Sequence, residues 1–498
     1  MISFVRSVRL NQVIDTKTPP ETEKAGLLDK YFHLTERGST LGREIRGGLV
    51  TFFAMAYILI LNPIILSGPD STGAYLGGGD EPNLAAISAG TALVAGIMTI
   101  LMGAVANFPI GLAAGLGLNS MVAFTIVQLP GMTWADGMGI IVLEGIVIVL
   151  LVVTGLREAI FRAVPMYLRT AISVGIGMFI TLVGLVNAGM VRTGGGTPLT
   201  FGVEGSVSTI PMAVFVIGLF VTAILMVRKV KGAILIGIVS STVLAVIAEA
   251  VGKLGVVGED NPGGWNLSVP SISGSPIQLP SFATLGEFSI TGPFQKLGVI
   301  AVVVLTFSVL LADFFDTMGT MVAVATEGDL LDEDGNPEGT SRILLVDSVG
   351  AIAGGMGGVS SNTAFVESST GVADGGRTGL TSIVTGIAFL LATFLSPIVA
   401  LVPNEAAAPA LVAVGFLMMQ QVPDINWNKL STGIPAFLTI VMMPFGYSLT
   451  VGIGVGFIAH VVLQVATGNA KKVHPLLWLV AILFVLYFLM GPIQSALA

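Results

Sequence analysis

The chain has 498 residues, 53% hydrophobic and only 10% charged, against roughly 25% charged in ordinary soluble domains, which excludes a soluble globular protein. Lys and Arg number 22 and Asp and Glu 30, so the net charge of −8 argues against a nucleic-acid binder, which carries a basic patch. There are no cysteines, which removes disulfides, thiolate metal sites and cysteine nucleophiles together.

Residues 1–43 mix charges with Pro19-Pro20 and lack an apolar stretch of secretory-signal length, so they read as a retained polar tail. Beyond them, apolar stretches near the ~20 residues of a membrane-crossing helix recur along the chain. Bounded by Gly, Pro and charges, they place spans at 45–67, 84–104, 110–128, 135–154, 168–190, 207–227 and 232–252. After a stretch rich in Gly, Pro and Ser at 253–292, seven more fall at 295–325, 342–357, 359–373, 378–400, 405–421, 433–447 and 449–467. One further apolar segment at 474–492 either crosses again or lies along the surface, which leaves the count at fourteen or fifteen. With a cytoplasmic N-terminus, 19 of the 22 basic residues fall on inside loops and only Arg192, Lys253 and Lys296 outside, as the positive-inside rule requires. Seven spans, a hydrophilic break and seven more is the arithmetic of an inverted-topology repeat.

Two segments are interrupted. The third reads Gly111-Leu-Ala-Ala-Gly115-Leu-Gly117-Leu-Asn119, and glycine weakens a helix by roughly 1 kcal/mol relative to alanine. Extended backbone up to about Leu118 is expected, with Asn119 at the N-cap of a half-helix. The tenth repeats the plan with Gly354-Gly-Met-Gly-Gly358, then Ser360-Ser361-Asn362-Thr363 and a short run to Thr370 containing Glu367. Non-helical backbone at membrane depth is tolerated only where protein buries it or it lines a cavity, and paired broken segments point to a transporter's binding site. The plainer reading of Gly111 and Gly115 is a small-residue packing face.

The eighth span carries Asp313-Phe-Phe-Asp316-Thr317-Met-Gly-Thr320, where Asp313, Asp316, Thr317 and Thr320 share one helical face. Carboxyls at bilayer depth are costly unless paired or functional. Asp313 and Glu367 are therefore candidates to take up and release a proton, with Asp316 beside them, and the alternative is a buried network bonding helix ends. Glu144, mid-way along the fourth span, is a proton carrier or a structural hydrogen-bonder; Asp347 and Glu249, nearer span ends, read as solvated or capping. The acidic 327–338 loop lacks EF-hand spacing and Gly375-Gly-Arg-Thr-Gly379 lacks a Walker ending, so it reads as a loop nest. His33, His460 and His474 make no metal set, and no nucleophile triad can be drawn, so neither metal, cofactor nor enzyme chemistry is expected.

These residues resemble the nucleobase–cation symporter-2 family, in its adenine/guanine/hypoxanthine (purine) permease branch. The resemblance rests on Thr51-Phe-Phe-Ala-Met-Ala-Tyr-Ile…Asn62-Pro63, Gly115-Leu-Gly-Leu-Asn119, Asp313-Phe-Phe-Asp316-Thr317-Met-Gly319-Thr320, Glu367-Ser-Ser-Thr-Gly-Val-Ala-Asp-Gly-Gly-Arg377-Thr-Gly379 and Ile434-Pro-Ala-Phe-Leu-Thr-Ile-Val-Met-Met-Pro444. It implies an all-α polytopic membrane protein of about fourteen segments in two inverted seven-segment repeats, with short extended stretches in segments 3 and 10. It further implies a cytoplasmic tail at 1–43, core-domain segments 1–4 at 44–154, gate-domain segments 5–7 at 165–252, an extracytoplasmic linker at 253–293, core segments 8–11 at 294–400, and gate segments 12–14 with the extra C-terminal helix at 403–492.

By the same resemblance the chain imports purine bases by proton symport across the cell membrane, with a homodimer as the implied assembly. Asp313 and Glu367 look like the acids that bond the base and couple to protons, Asn119 like the third-segment polar contact, and Phe365 like the aromatic bordering the base, with Ser361 and Asn362 beside it. Many relatives have Tyr at Phe365, Ala-Tyr at Ser120-Met121 and Ser or Thr at Asn362, so hydroxyls and an aromatic are missing here. The rival readings are a uracil/xanthine permease, which the Asp313-x-x-Asp316 pattern disfavours; a sulfate/bicarbonate-type anion transporter, whose substrate the acids would repel; and a membrane enzyme.

Overall fold

The computed structural model describes the chain except residues 1–26, 156–162, 194–195, 204, 259, 272–274, 276, 333–335 and 498. Most of the polar tail, and with it Arg6, Arg9, Lys17 and Lys24, therefore lies outside the described residues, as do Arg157 and Arg162.

Every expected span is found, with ends shifted by a few residues. Segment 1 is Leu41–Ile65, segment 2 Leu84–Ala106, segment 4 Trp134–Val153, segment 5 Met166–Asn187, segment 6 Ile210–Val227 and segment 7 Ala233–Gly252. In the second half, segment 8 is Gly292–Glu327, segment 9 Thr340–Met356, segment 11 Gly379–Leu401, segment 12 Asn404–Asp424, segment 13 Leu430–Phe445 and segment 14 Leu449–Ala466. Segment 8 exceeds the expected 295–325 because a first turn precedes a break at Gly298, whose φ of 78° and ψ of 168° only glycine adopts at low cost. The last apolar segment is a helix, Pro475–Leu497, of 23 residues, or ~34 Å at 1.5 Å per residue. It packs along segment 14 with Phe484 stacked on Phe457 at 6.3 Å.

Segments 3 and 10 are the broken ones. Each contributes a three-residue strand, β1 (Leu112–Ala114) and β2 (Asn362–Ala364), before a helix, Leu116–Ile126 and Ser368–Ala373. The strands pair antiparallel with Leu112 opposite Ala364, Ala113 opposite Thr363 and Ala114 opposite Asn362.

The packing shows the inverted repeat. If segment n corresponds to segment n+7, the pair 2 and 11 must map onto the pair 9 and 4, and 5 with 12 onto itself. These are among the tightest helix contacts, each made through glycine. A Cβ at Gly96 would stand 2.9 Å from the carbonyl oxygen of Gly386, one at Gly145 3.0 Å from that of Ser348, and one at Gly177 2.9 Å from that of Gly415. Small residues let backbones approach where lipid offers no hydrophobic drive to associate.

One buried carboxylate locks segment 1 to segment 11. Glu44 accepts hydrogen bonds from the N–H groups of Arg377 (3.0 Å), Thr378 (3.3 Å) and Thr381 (3.2 Å) and from the hydroxyls of Thr378 (2.9 Å) and Thr381 (2.6 Å). The Gly-rich 375–379 loop is thus a nest filled from within the chain, where an anion complements the unsatisfied N–H groups at the helix start. Glu249 likewise takes a capping role, accepting from Leu254 N–H and the Trp265 indole at 2.9 Å each. Glu44→Gln is expected to cost about 2 kcal/mol or more, because charge-assisted bonds to a buried group are lost. Denaturation of the detergent-solubilised protein measures this, with the exposed Glu36→Gln change expected to alter stability little.

Candidate functional site

The ladder determines where the half-helices start. Gly115 N–H donates to Ser361 O at 2.9 Å and Phe365 N–H to Gly111 O at 3.0 Å, so the pairing runs one residue past each strand. Helix follows at once. Segment 3 is capped by Gly115 rather than Asn119, which lies inside the first turn. Glu367 is itself the residue preceding the Ser368 helix, not one to two turns into it. Gly115 is required by close approach, since a Cβ there would stand 2.7 Å from Thr363 Cγ2. The chain reaches β2 through left-handed residues, Gly358 at φ 64° and Ser360 at φ 68°.

Below the strands is a cavity of about 650 Å³, within the size of small-molecule sites. Segments 1, 3, 8 and 10 wall one side and segments 5 and 12 the other. Its polar lining includes Asp316, Glu367, Thr363 and Tyr57, and its aromatic lining Phe315 and Phe365. Glu367 Oε1 accepts a hydrogen bond of 2.5 Å from the Tyr57 hydroxyl. Arg169 lies over the Phe315 ring, 5.2 Å from its centroid. The lining extends to Arg169, Val322 and Asp424, near the start of segment 5 and the ends of segments 8 and 12. By alternation of the spans this is the face from which segment 1 sets out.

The structure divides the expected residues into two sets. Glu367, Phe365 and Asp316 line the cavity. Asp313, Ser361, Asn119 and Asn362 are fully buried outside its lining. The stripe on segment 8 is split accordingly, because Asp316 is exposed to the cavity while Asp313 and Thr317 turn into the protein. Ser361 Oγ donates to Asp313 Oδ2 at 3.4 Å. Glu144 of segment 4 lies against the same carboxyl, and both of its oxygens lack a hydrogen-bond partner among the described residues. Asp347 closes the group by accepting from Thr317 Oγ1 at 2.9 Å, and Thr317 meets Thr363 of β2 at 2.7 Å. Among the described residues, no Lys, Arg or His forms an ion pair with Glu144, Asp313 or Asp347.

Asn119 serves a different junction. Its amide donates to Asn62 Oδ1 at 2.6 Å, and the Asn62 amide donates to Thr91 Oγ1 at 2.8 Å and to Val359 O at 3.1 Å. Four segments, 1, 2, 3 and the approach to 10, are joined in one buried network. Pro63, next to Asn62, cannot donate to Leu59 O, and Ser88 Oγ supplies that bond at 2.9 Å. Outside the membrane, Asp374 follows the segment 10 helix and pairs with Lys231 and Arg46. The lysine first, and then the arginine, hold its carboxyl below the usual carboxylate range.

Residues 42–455 match the model of a permease family, that of xanthine and uracil permeases. The chain is 40% identical to a guanine/hypoxanthine permease, PbuG, of Bacillus subtilis (strain 168), over 92% of this chain and 99% of that protein. It is 37% identical to an adenine permease, AdeP, of Escherichia coli (strain K12), over 94% of this chain and 97% of that protein. The chain belongs to the nucleobase–cation symporter-2 permease family. Among solved structures, the transmembrane domain of a cyanobacterium bicarbonate transporter, BicA, superposes on this permease with a TM-score of 0.53 at 14% identity, covering 86% of this chain and 97% of that one. At that identity the likeness concerns the inverted-repeat fold alone.

Two residues of the candidate site escaped the sequence reading. Asp347 is 2% exposed and mid-helix in segment 9, where its nearness to a span end had suggested solvation or capping; the helix starts at Thr340 and puts it two turns deep. Tyr57 stood only inside a motif, although an aromatic hydroxyl at mid-span needs a partner when buried, and that signal was available. Asn62→Ala and Asn119→Ala are each expected to cost about 1–3 kcal/mol by leaving buried amide groups unpaired. The double variant should cost well below the sum, and chemical denaturation of all four proteins measures the difference.

Proposed function

We propose that this permease imports purine nucleobases, with adenine, guanine and hypoxanthine as the substrates, by proton symport through the cell membrane. The carrying observation is the cavity beneath the paired strands, where two carboxyls, Glu367 and Asp316, and the aromatic rings of Phe365 and Phe315 meet. A purine edge presents both N–H donors and ring acceptors, and its faces stack on aromatics. Carboxyls accept from the donors, and a protonated carboxyl supplies a donor in return. In so enclosed a site each unmade hydrogen bond costs about 1–3 kcal/mol, which provides discrimination. The matches to adenine and guanine/hypoxanthine permeases support the same substrate class.

In this reading Glu367, Asp316 and Phe365 contact the base. Asp313, with Glu144 and Asp347 around it, holds the coupling proton, and Ser361, Asn119 and Asn362 keep the two broken segments in place. Segments 1–4 and 8–11 form a core that moves against a gate of segments 5–7 and 12–14. The N-terminus faces the cytoplasm, so the end of the cavity lined by Arg169 and Asp424 lies inward. A homodimer remains part of the proposal. One proton crossing 100 mV supplies ~2.3 kcal/mol, or roughly a fifty-fold gradient of an uncharged base. A transported anion would face Glu367 and Asp316 at close range, which disfavours anion exchange despite the shared fold.

Uptake of labelled adenine, guanine, hypoxanthine, xanthine and uracil into proteoliposomes tests this. Accumulation of the purine bases that collapses with a proton uncoupler is expected, and uptake of none of them would refute the substrate class. Uncoupler-insensitive uptake would refute the symport alone. Glu367→Gln is expected to lower uptake at least tenfold, whereas Asp313→Asn should keep base binding and lose accumulation.

A further inference from the structure

We propose that Tyr57 is a positioning residue that fixes the carboxyl of Glu367 and so determines which edge of the base the site reads. This rests on the purine reading above. Segment 1 loosens near its middle without breaking, since Ala56 and Tyr57 keep right-handed helical φ and ψ between its two helical stretches. Its first helix, Leu41–Met55, ends where Ala56 N–H closes on Phe52 O, and a second, Ile58–Ile65, starts with Leu61 N–H on Tyr57 O. Tyr57 stands at the joint. Its side chain is 1% exposed, yet it reaches the cavity lining beside Phe365, the two ring centroids 6.4 Å apart and tilted by 47°.

The Tyr57 hydroxyl donates to Glu367 Oε1 at 2.5 Å, and among the described residues no other side chain hydrogen-bonds that carboxyl. A carboxylate has about four lone-pair sites on two oxygens. Oε1 is held by the phenol while Glu367 lines the cavity, which leaves the other lone pairs of the carboxyl for a ligand, and the phenol that anchors it belongs to a ring wedged in the core. Without the hydroxyl, Glu367 retains its place in the chain, since its backbone precedes the Ser368 helix. Its side chain, however, loses the contact that selects one rotamer. Tyr57 therefore acts through Glu367 on orientation. Bases that differ in which ring edge carries donors, adenine against guanine and hypoxanthine, should feel the loss unequally.

Equilibrium binding of labelled adenine, guanine and hypoxanthine to the full-length protein in lipid nanodiscs tests this with wild type, Tyr57→Phe, Glu367→Gln and the double variant. Tyr57→Phe keeps the ring and its packing. It is expected to weaken guanine and hypoxanthine binding about tenfold, to change the ratio of adenine to guanine affinity by at least threefold, and to raise KM for uptake with kcat within about twofold. In the Glu367→Gln background the same change should weaken binding less than twofold, because the group it positions has already been altered. Losses that add in the double variant, equal losses for all three bases, or a Tyr57→Phe protein that binds as wild type does would overturn the proposal. Glu367→Asp serves as a second variant. Its shorter side chain withdraws the carboxyl from the phenol, so Tyr57→Phe should add little there, and a full further loss would again overturn it. A wild-type protein that binds none of the bases overturns the purine reading itself, an outcome distinct from all of these.

Discussion

The structure depends on how two stretches of extended backbone are satisfied at membrane depth. Each unpaired N–H or C=O in hydrocarbon costs several kcal/mol, and β1 and β2 resolve this by bonding to each other rather than to water. Flanking side chains complete the pairing. Thr99 Oγ1 both donates to Leu112 O at 3.0 Å and accepts from Leu112 N–H at 2.9 Å, and Ser368 Oγ accepts from Gly111 N–H at 2.9 Å. Because the ladder joins one segment from each half, it also sets the axis about which the halves are related. Everything arranged around the cavity, from the cap at Gly115 to the carboxyl of Glu367, takes its position from that pairing.

Much of this was legible in the residues. Gly111 and Gly115 flank the first strand, and Gly357 and Gly358 stand in the turn that leads to the second, as the glycine runs had suggested, whereas Gly117 lies inside the segment 3 helix and Gly354 and Gly355 inside the end of segment 9. Apolar stretches bounded by Gly, Pro and charges gave the spans. What the residues did not disclose was local. Extended chain was expected to Leu118, and Asn119 was therefore assigned a cap, but the ladder has only three registered pairs and its last bond is spent at Gly115. The helix begins four residues sooner, with its cap at Gly115 instead of Asn119, and Asn119 bonds Asn62 outside the cavity lining. Nothing local to 111–119 states the length of a strand whose partner lies about 250 residues away.

The acids teach a similar lesson. Helical spacing grouped Asp313 with Asp316, yet residues three apart are separated by about 60° around the axis, enough for one to line a cavity and the other to be sealed behind it. The identity of a carboxyl's neighbours is a matter of packing. Gly145 brings segment 4 against segment 9 closely enough for Glu144 and Asp347 to join Asp313, and that approach depends on helices distant in sequence. Small-residue packing does occur, but at Gly145 and Gly96, which the sequence had not singled out, whereas Gly115, for which it was the plainer reading, serves the break.

A joined ladder also constrains how the cavity can be reached from the two sides. Separating segments 3 and 10 would expose the paired N–H and C=O groups of both strands and break the chain of bonds from Thr363 through Thr317 to Asp347. The Asn62 network adds a second tie among segments 1, 2 and 3. Against this, the far wall of the cavity, on segments 5 and 12, presents apolar side chains such as Ile176 and Val414 beside Arg169, which lies over Phe315 of segment 8, and apolar faces slide at lower cost than hydrogen bonds break. In the proposed cycle, then, the two broken segments travel as one body with the base and its acids, and access changes by displacement along the apolar seam. A site that opened between its own half-helices would have to unmake the pairing that creates it.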